Sequence, residues 1–197
     1  MKVSVILAHP SDRSLNYAIA DTAVKTLEEA GHAVFFHDLH FENFDPVLRK
    51  KELYPDVVQY PEVERHCVEL GEADGLIIVH PNWWGMPPAV MTGWIDRIFR
   101  AGVAYKFVEN DCGEGVPVGL LKLKTAVIFN TSNTPPEREK EAFGDPLELI
   151  WKKCVFGLCG VTDVHRRCFS VVCTSTDEER AAWLAEVADT VRKYFPA

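Results

Sequence analysis

The chain has no apolar run of the ~18 residues that a membrane-spanning helix needs. It has no excess of positive charge either: 21 Lys and Arg stand against 29 Asp and Glu, a formal net charge of −8. That balance argues against an electrostatic nucleic-acid footprint, which shows as a basic domain. No leader peptide is expected, because the apolar start MKVSVILAH breaks at His9-Pro10, and a cytoplasmic protein is the expectation. Six cysteines, at 67, 112, 154, 159, 168 and 173, form no C-x-x-C pair and no zinc spacing. They read as buried free thiols of a reducing compartment. There is no G-x-S-x-G elbow, and Cys112, in the polar stretch NDCGEG, has no histidine partner nearby. His32, His37 and His40 are neighbours in sequence, but His32 and His37 flank a strand and no cysteine or carboxylate cluster completes a metal set, so they read as surface histidines, and no metal site is expected.

What is present is an alternation of strand-length apolar runs with helix-period segments, the pattern of an α/β fold with a parallel sheet. A length of 197 residues suits one domain, residues 1–197. The runs Val3–Ala8, Ala33–His37, Gly75–Val79, Thr125–Phe129 and Cys168–Cys173 predict five strands, each covered on both faces. Leu15, Ile19, Ala23, Leu27 and Ala30 mark one face of a first helix that stops at Gly31. Leu184, Val187, Ala188, Val191 and Phe195 mark the last helix, opened by the capping box Thr176-Asp177-Glu178-Glu179. Asp145-Pro146-Leu147-Glu148 reads as another helix start, with Asp145 as its cap. Three segments, 39–61, 100–124 and 131–144, have no strong period and are where substrate and partner surfaces are expected.

The loops after the strands narrow the chemistry. After the first strand, HPSDRSLN contains no glycine, so neither a G-x-G-x-x-G dinucleotide turn nor a P-loop is present, and Asp38 reads as a strand terminator. That loop instead sets His9, Ser11, Arg13, Ser14 and Asn16 ahead of a helix amino terminus, where free N–H groups and side-chain donors suit an anion such as a phosphate. After the third strand, Trp83 and Trp84 adjoin in a loop flanked by Pro81, Gly85, Pro87 and Pro88. Both rings cannot easily point inward there, and a loop at the carboxyl end of a parallel strand is where such sheets bind ligands.

Taken together, ILAHPSDRSLN, DLHFENFDPVL, HPNWWGMPPAVMTGWIDRIF, RAGVAYKF and CGVTDV, in this order, resemble the flavodoxin-like NAD(P)H:quinone oxidoreductases, a group that includes DT-diaphorase, ancillary reductases of potassium-efflux systems and flavin azoreductases. The resemblance implies a flavodoxin-like five-stranded parallel sheet with helices on both faces, carrying FMN or FAD and working as a homodimer. It implies that His9, Ser14, Leu15 and Asn16 hold the flavin phosphate or pyrophosphate. Pro81, Asn82, Trp83, Trp84 and Gly85 would line the isoalloxazine, and Thr131, Ser132, Asn133 and Thr134 would offer it backbone donors. NADPH or NADH would supply hydride, and a planar acceptor such as a quinone would take two electrons. Two alternatives are a regulatory flavoprotein in peripheral contact with a membrane transporter and an electron carrier of the flavodoxin type. The chain departs from DT-diaphorase where NTSNTPP replaces a glycine pair, and Glu137 and Phe143 fall where the catalytic tyrosine and histidine are expected, so no catalytic acid is assigned. Gln59 matches a family glutamine that touches adenine in FAD.

Overall fold

A computed structural model describes residues 1–53, 60–108 and 116–197. Gln59 and Cys112 lie outside the described residues. Five parallel strands form one sheet: β1 (Lys2–Leu7), β2 (Ala33–Asp38), β3 (Gly75–Pro81), β6 (Thr125–Thr131) and β7 (Val164–Phe169), in the order β2-β1-β3-β6-β7. Strands β4 (Tyr105–Lys106) and β5 (Val118–Gly119) make a separate two-stranded ribbon. The helices are α1 (Leu15–Glu29), α2 (Pro61–Glu72), α3 (Ala89–Ile98), α4 (Pro136–Phe143), α5 (Pro146–Leu149) and α6 (Asp177–Tyr194). A π-helical segment, Ile150–Val155, continues α5. The chain order reverses direction between β1 and β3, which makes the carboxyl ends of these two strands the switch point of the sheet.

The two-residue period of the strands sorts the core into two layers. Val3, Val5 and Leu7 of β1, Ile77 and Val79 of β3, and Val127 and Phe129 of β6 pack on Ile19 and Leu27 of α1 and Val187 and Val191 of α6. Their alternates Ile6, Leu76, Ile78, Ala126 and Ile128 face Val63 and Leu70 of α2, Met91 and Trp94 of α3, and Trp151 and Phe156. The caps form as read: Ser14 Oγ accepts from Tyr17 N, and Thr176 and Glu179 complete their capping box. Asp38 ends β2 and its Oδ1 accepts from the N–H groups of His40 and Phe41. No helix among the described residues is long and apolar enough to cross a membrane.

Several expectations are corrected. The fifth strand is Val164–Phe169 and not Cys168–Cys173. It is an edge strand whose His165, Arg166 and Arg167 hide it from an apolar-run criterion, and Val171 (φ 60°) takes the chain out of extended conformation. β2, at the other edge, is also only partly covered, with Phe36 exposed. Segment 131–144 holds α4, invisible to periodicity because PEREKEAF is mostly solvent-facing. Asp145 opens α5 without a side-chain cap, its carboxylate bonding Arg166 instead. Among the described cysteines, Cys67 and Cys159 are buried, whereas Cys154 and Cys173 are exposed and Cys168 is half-buried.

Of the three histidines expected at the surface, His40 is exposed but His32 and His37 are buried. His32 bridges the Met1 amino group and the Phe195 carbonyl. His37 lies between Glu42 (2.9 Å) and Glu69 and stacks on His66 with ring centroids 3.8 Å apart. The fold thus gathers His37, Glu42 and His66, a grouping that sequence spacing did not show. Trp94 Nε1–H donates to His66 Nδ1 at 3.0 Å, which puts the ring proton of neutral His66 on Nε2, facing Glu42 Oε2 at 3.3 Å. The His66 nitrogen toward Glu42 is therefore a donor, and no lone pair there points into the group.

Helix α3 is held close by a missing side chain. A Cβ at Gly93 would stand 2.1 Å from the Pro46 carbonyl oxygen, so α3 packs directly on the chain after β2. The Gly93→Ala variant is expected to lose about 1–3 kcal/mol of stability despite the better helix propensity of alanine. Urea denaturation measures this, and a stability equal to or above that of the parent would show that the helix can shift away at no cost.

Candidate functional site

At the carboxyl ends of β1, β3 and β6 the chain opens a cavity of about 780 Å³. All thirteen residues expected to contact a cofactor line it: His9, Ser14, Leu15 and Asn16 from the β1 loop, Pro81, Asn82, Trp83, Trp84 and Gly85 from the β3 loop, and Thr131, Ser132, Asn133 and Thr134 from the β6 loop. Glu139, Phe143, Pro146, Val172 and Cys173 complete the lining and were missed. Val172 and Cys173 sit past the true end of β7, where the expected strand hid them. Glu139, Phe143 and Pro146 belong to or adjoin short helices without an apolar period.

In the first loop, the β1–α1 junction presents donors. Leu15 and Asn16 open α1, so their N–H groups have no carbonyl one turn back within the helix. Ser14 Oγ already accepts from Tyr17 N (3.1 Å), which leaves its O–H free to donate. Asn16 Nδ2 donates to Thr131 Oγ1 (2.9 Å), tying this loop to the third one, while its Oδ1 is buried without a partner. His9 Nδ1 accepts from Ser11 N (3.1 Å), and burial lowers the ring's pKa, so the histidine is neutral at pH 7.

The second loop is a two-residue turn. Trp83 and Met86 exchange backbone hydrogen bonds of 3.1 and 3.0 Å, and both central residues, Trp84 (φ 60°) and Gly85 (φ 73°), are left-handed. Gly85 is required twice over, since a Cβ there would also meet Pro146 Cγ at 2.7 Å. Trp84 holds its unfavourable backbone with its side chain 100% exposed, and Trp83 is 44% exposed. Such strain collects where a chain presents a side chain to a ligand. Asn82 fixes the turn: its Oδ1 accepts from Gly85 N (3.0 Å), its Nδ2 donates to Glu139 Oε1 (3.0 Å), and its N–H donates to the Thr131 carbonyl (2.6 Å). In the third loop, Ser132 Oγ accepts from Thr134 N, and Asn133 Oδ1 accepts from Cys173 N.

Beneath the cavity lies His80, fully buried. Its Nδ1–H donates to the Pro81 carbonyl (2.8 Å) and its Nε2 accepts from Trp151 Nε1 (3.0 Å). Burial pushes its pKa down to about 4, and burial with the neighbouring His37 pushes that of His66 down to about 3. Both rings are held neutral in the fold, whereas in the unfolded chain they take up protons near pH 6.5. Stability is therefore full above pH 6.5 and is lost as pH falls from 6.5 toward these lowered values, by about 1 kcal/mol per histidine at pH 5.5. Denaturation at pH 7.0 and 5.5 reads the loss, and His80→Gln, which keeps an acceptor for Trp151, should remove its share. A stability independent of pH over this interval would contradict the assignment.

A sequence profile of the family described as having a flavodoxin-like fold matches residues 1–194. An uncharacterized NAD(P)H oxidoreductase of Haemophilus influenzae is 34% identical over 98% of this chain and 95% of its own. The crystal structure of Smu.1420 from Streptococcus mutans superposes with a TM-score of 0.85 at 30% identity, covering 98% of this chain and 100% of the other. That of an NAD(P)H:quinone oxidoreductase from Methanothermobacter marburgensis gives 0.80 at 24% identity, over 98% and 96%, a likeness of fold. Profile and relatives span nearly the whole length, and this chain belongs to the flavodoxin-like family, among its NAD(P)H oxidoreductases.

Proposed function

We propose that the cavity holds a flavin, FMN or FAD, and that the enzyme uses NADPH or NADH to reduce quinones or similar planar acceptors by two electrons. The observation that carries this reading is the convergence of three separate strand-to-helix loops, 9–16, 81–85 and 131–134, on one cavity at the switch point. The donor set fits such a group. The amino terminus of α1 and the Ser14 hydroxyl offer hydrogen bonds to a phosphate. The unpartnered Asn16 Oδ1 offers an acceptor to a hydroxyl of the ribityl chain. Trp83 and Trp84 offer apolar faces to a flat ring and to a flat acceptor.

Held there by the β1 loop and the tryptophan turn, a flavin would supply the hydride chemistry between nicotinamide and acceptor. The chain's own residues position and exclude. Asn82 locks the tryptophan turn to Glu139 and Thr131, and the neutral His80, paired with Trp151, fills the floor without adding a charge to it. Glu137 and Arg138 are exposed on α4 and are not among the lining residues, so neither is assigned a proton-transfer role.

The sequence offers Trp94 and Phe99 as apolar surface for a homodimer, but both are buried inside the protomer at 1% and 7% exposure, because α2 and the chain after β2 cover α3. The dimer proposal rests instead on Trp84, Met86, Phe107 and Val108, which are exposed. Light scattering is expected to return twice the 22.2 kDa chain mass, and the mass of one chain at micromolar protein would overturn the dimer.

The flavin assignment is tested by titrating the protein with FMN and with FAD while following flavin fluorescence. Saturable binding of at least one is expected, and replacing Ser14 and Asn16 together by Ala should weaken it about a hundredfold, roughly 1.5–3 kcal/mol for the Ser14 bond to a charged phosphate and about 1 kcal/mol for the neutral bond of Asn16. Unchanged affinity with a lowered melting temperature would reduce both residues to structural caps, and failure to bind either flavin would overturn the reading.

A further inference from the structure

We propose that Glu139 is a specificity-determining residue that makes this cavity select neutral and cationic planar acceptors over anionic ones, an inference that rests on the reductase reading above. Among the described residues that line the cavity, Glu139 is the one carboxylate, and no lysine or arginine is present. The remaining basic group, His9, is neutral at pH 7 for the reason given. The cations nearest in the chain face elsewhere: Arg138 and Lys140 are exposed on α4, and Arg166 is engaged by Asn130, Asp145 and Glu148 below the lining.

The carboxylate cannot swing away. Glu139 is buried, its Oε1 accepts from Asn82 Nδ2 at 3.0 Å, and Asn82 is fixed in turn by Gly85 N–H at 3.0 Å. The negative charge is thus pinned against the turn that carries Trp83 and Trp84, the aromatic faces proposed for the acceptor. A charge held in a partly enclosed cavity is screened much less than one at the surface. An acceptor bearing a sulfonate or carboxylate gives up hydration to enter and meets a like charge with no compensating cation. A neutral ring meets no such opposition, and a cationic one gains.

The test is a charge series of naphthoquinones: menadione, 1,2-naphthoquinone-4-sulfonate and a trimethylammonium-substituted naphthoquinone, with kcat/KM measured on the flavin-loaded enzyme at about 20 mM NaCl, where screening is weak. Glu139→Gln keeps an acceptor for Asn82 and removes only the charge. At low salt it should cut the menadione-to-sulfonate ratio about fivefold or more and lower the cation-to-menadione ratio as well. Glu141→Gln, on the exposed side of the same helix, removes an equal unit of net charge and should move either ratio less than twofold. Ratios unmoved by Glu139→Gln, or moved equally by Glu141→Gln, would overturn the proposal and leave the reductase reading standing. Absence of menadione turnover in the flavin-loaded wild type would overturn both.

Discussion

The parallel register of β1, β3 and β6 is the constraint on which the site depends. Leu7 pairs with Val79, and Pro81 with Thr131, so three chains leave the sheet at one level and turn together into their helices. The ladder continues past the strand ends through Ala8 N–H to the Val79 carbonyl and Asn82 N–H to the Thr131 carbonyl. A slip of one residue in any of these pairs would exchange the two core layers and carry the corresponding loop away from the cavity. The apolar alternation that fills the core thereby also fixes the heights of the loops that line the site.

Below that level the fold carries polar groups in closed arrangements. His80 is satisfied on both ring nitrogens by Pro81 and Trp151. Arg166 reaches from β7 to Asn130, Asp145 and Glu148, while Asn130 Nδ2 turns to Cys168 Sγ (3.1 Å). These contacts join β6, β7 and α5 beneath the β6 loop. A floor of this kind resists deformation because any displaced member would be left buried and unpaired.

Above the floor the balance is different. The tryptophan turn is exposed, one of its residues is backbone-strained, and it is held by a few hydrogen bonds centred on Asn82. The rigid part of the molecule thus positions the loops, and the adaptable part offers aromatic surface. This division suits the proposed reductase, which would admit a dinucleotide and a planar acceptor at this cavity.

The apolar runs of β1, β3 and β6 and the stripes of α1 and α6 were legible because burial of two faces, or of one stripe, imposes a period on the residues themselves. So were Ser14, Asn16 and the tryptophan pair, whose residue types belong at a helix start or at a ligand and are out of place elsewhere. The edge strand β7 was not legible, since its arginines are satisfied by Asn130, Asp145, Glu148 and Glu186, partners that only the folded chain brings near. The same holds for Glu139, which is one acidic residue among several in PEREKEAF until Asn82, 57 positions away, turns it into the cavity wall. Local pattern determined the three central strands and the loops that follow them. Long-range pairing alone decided which charged side chains those loops would face, because a charge acquires its role from its neighbours in space and carries no period along the chain.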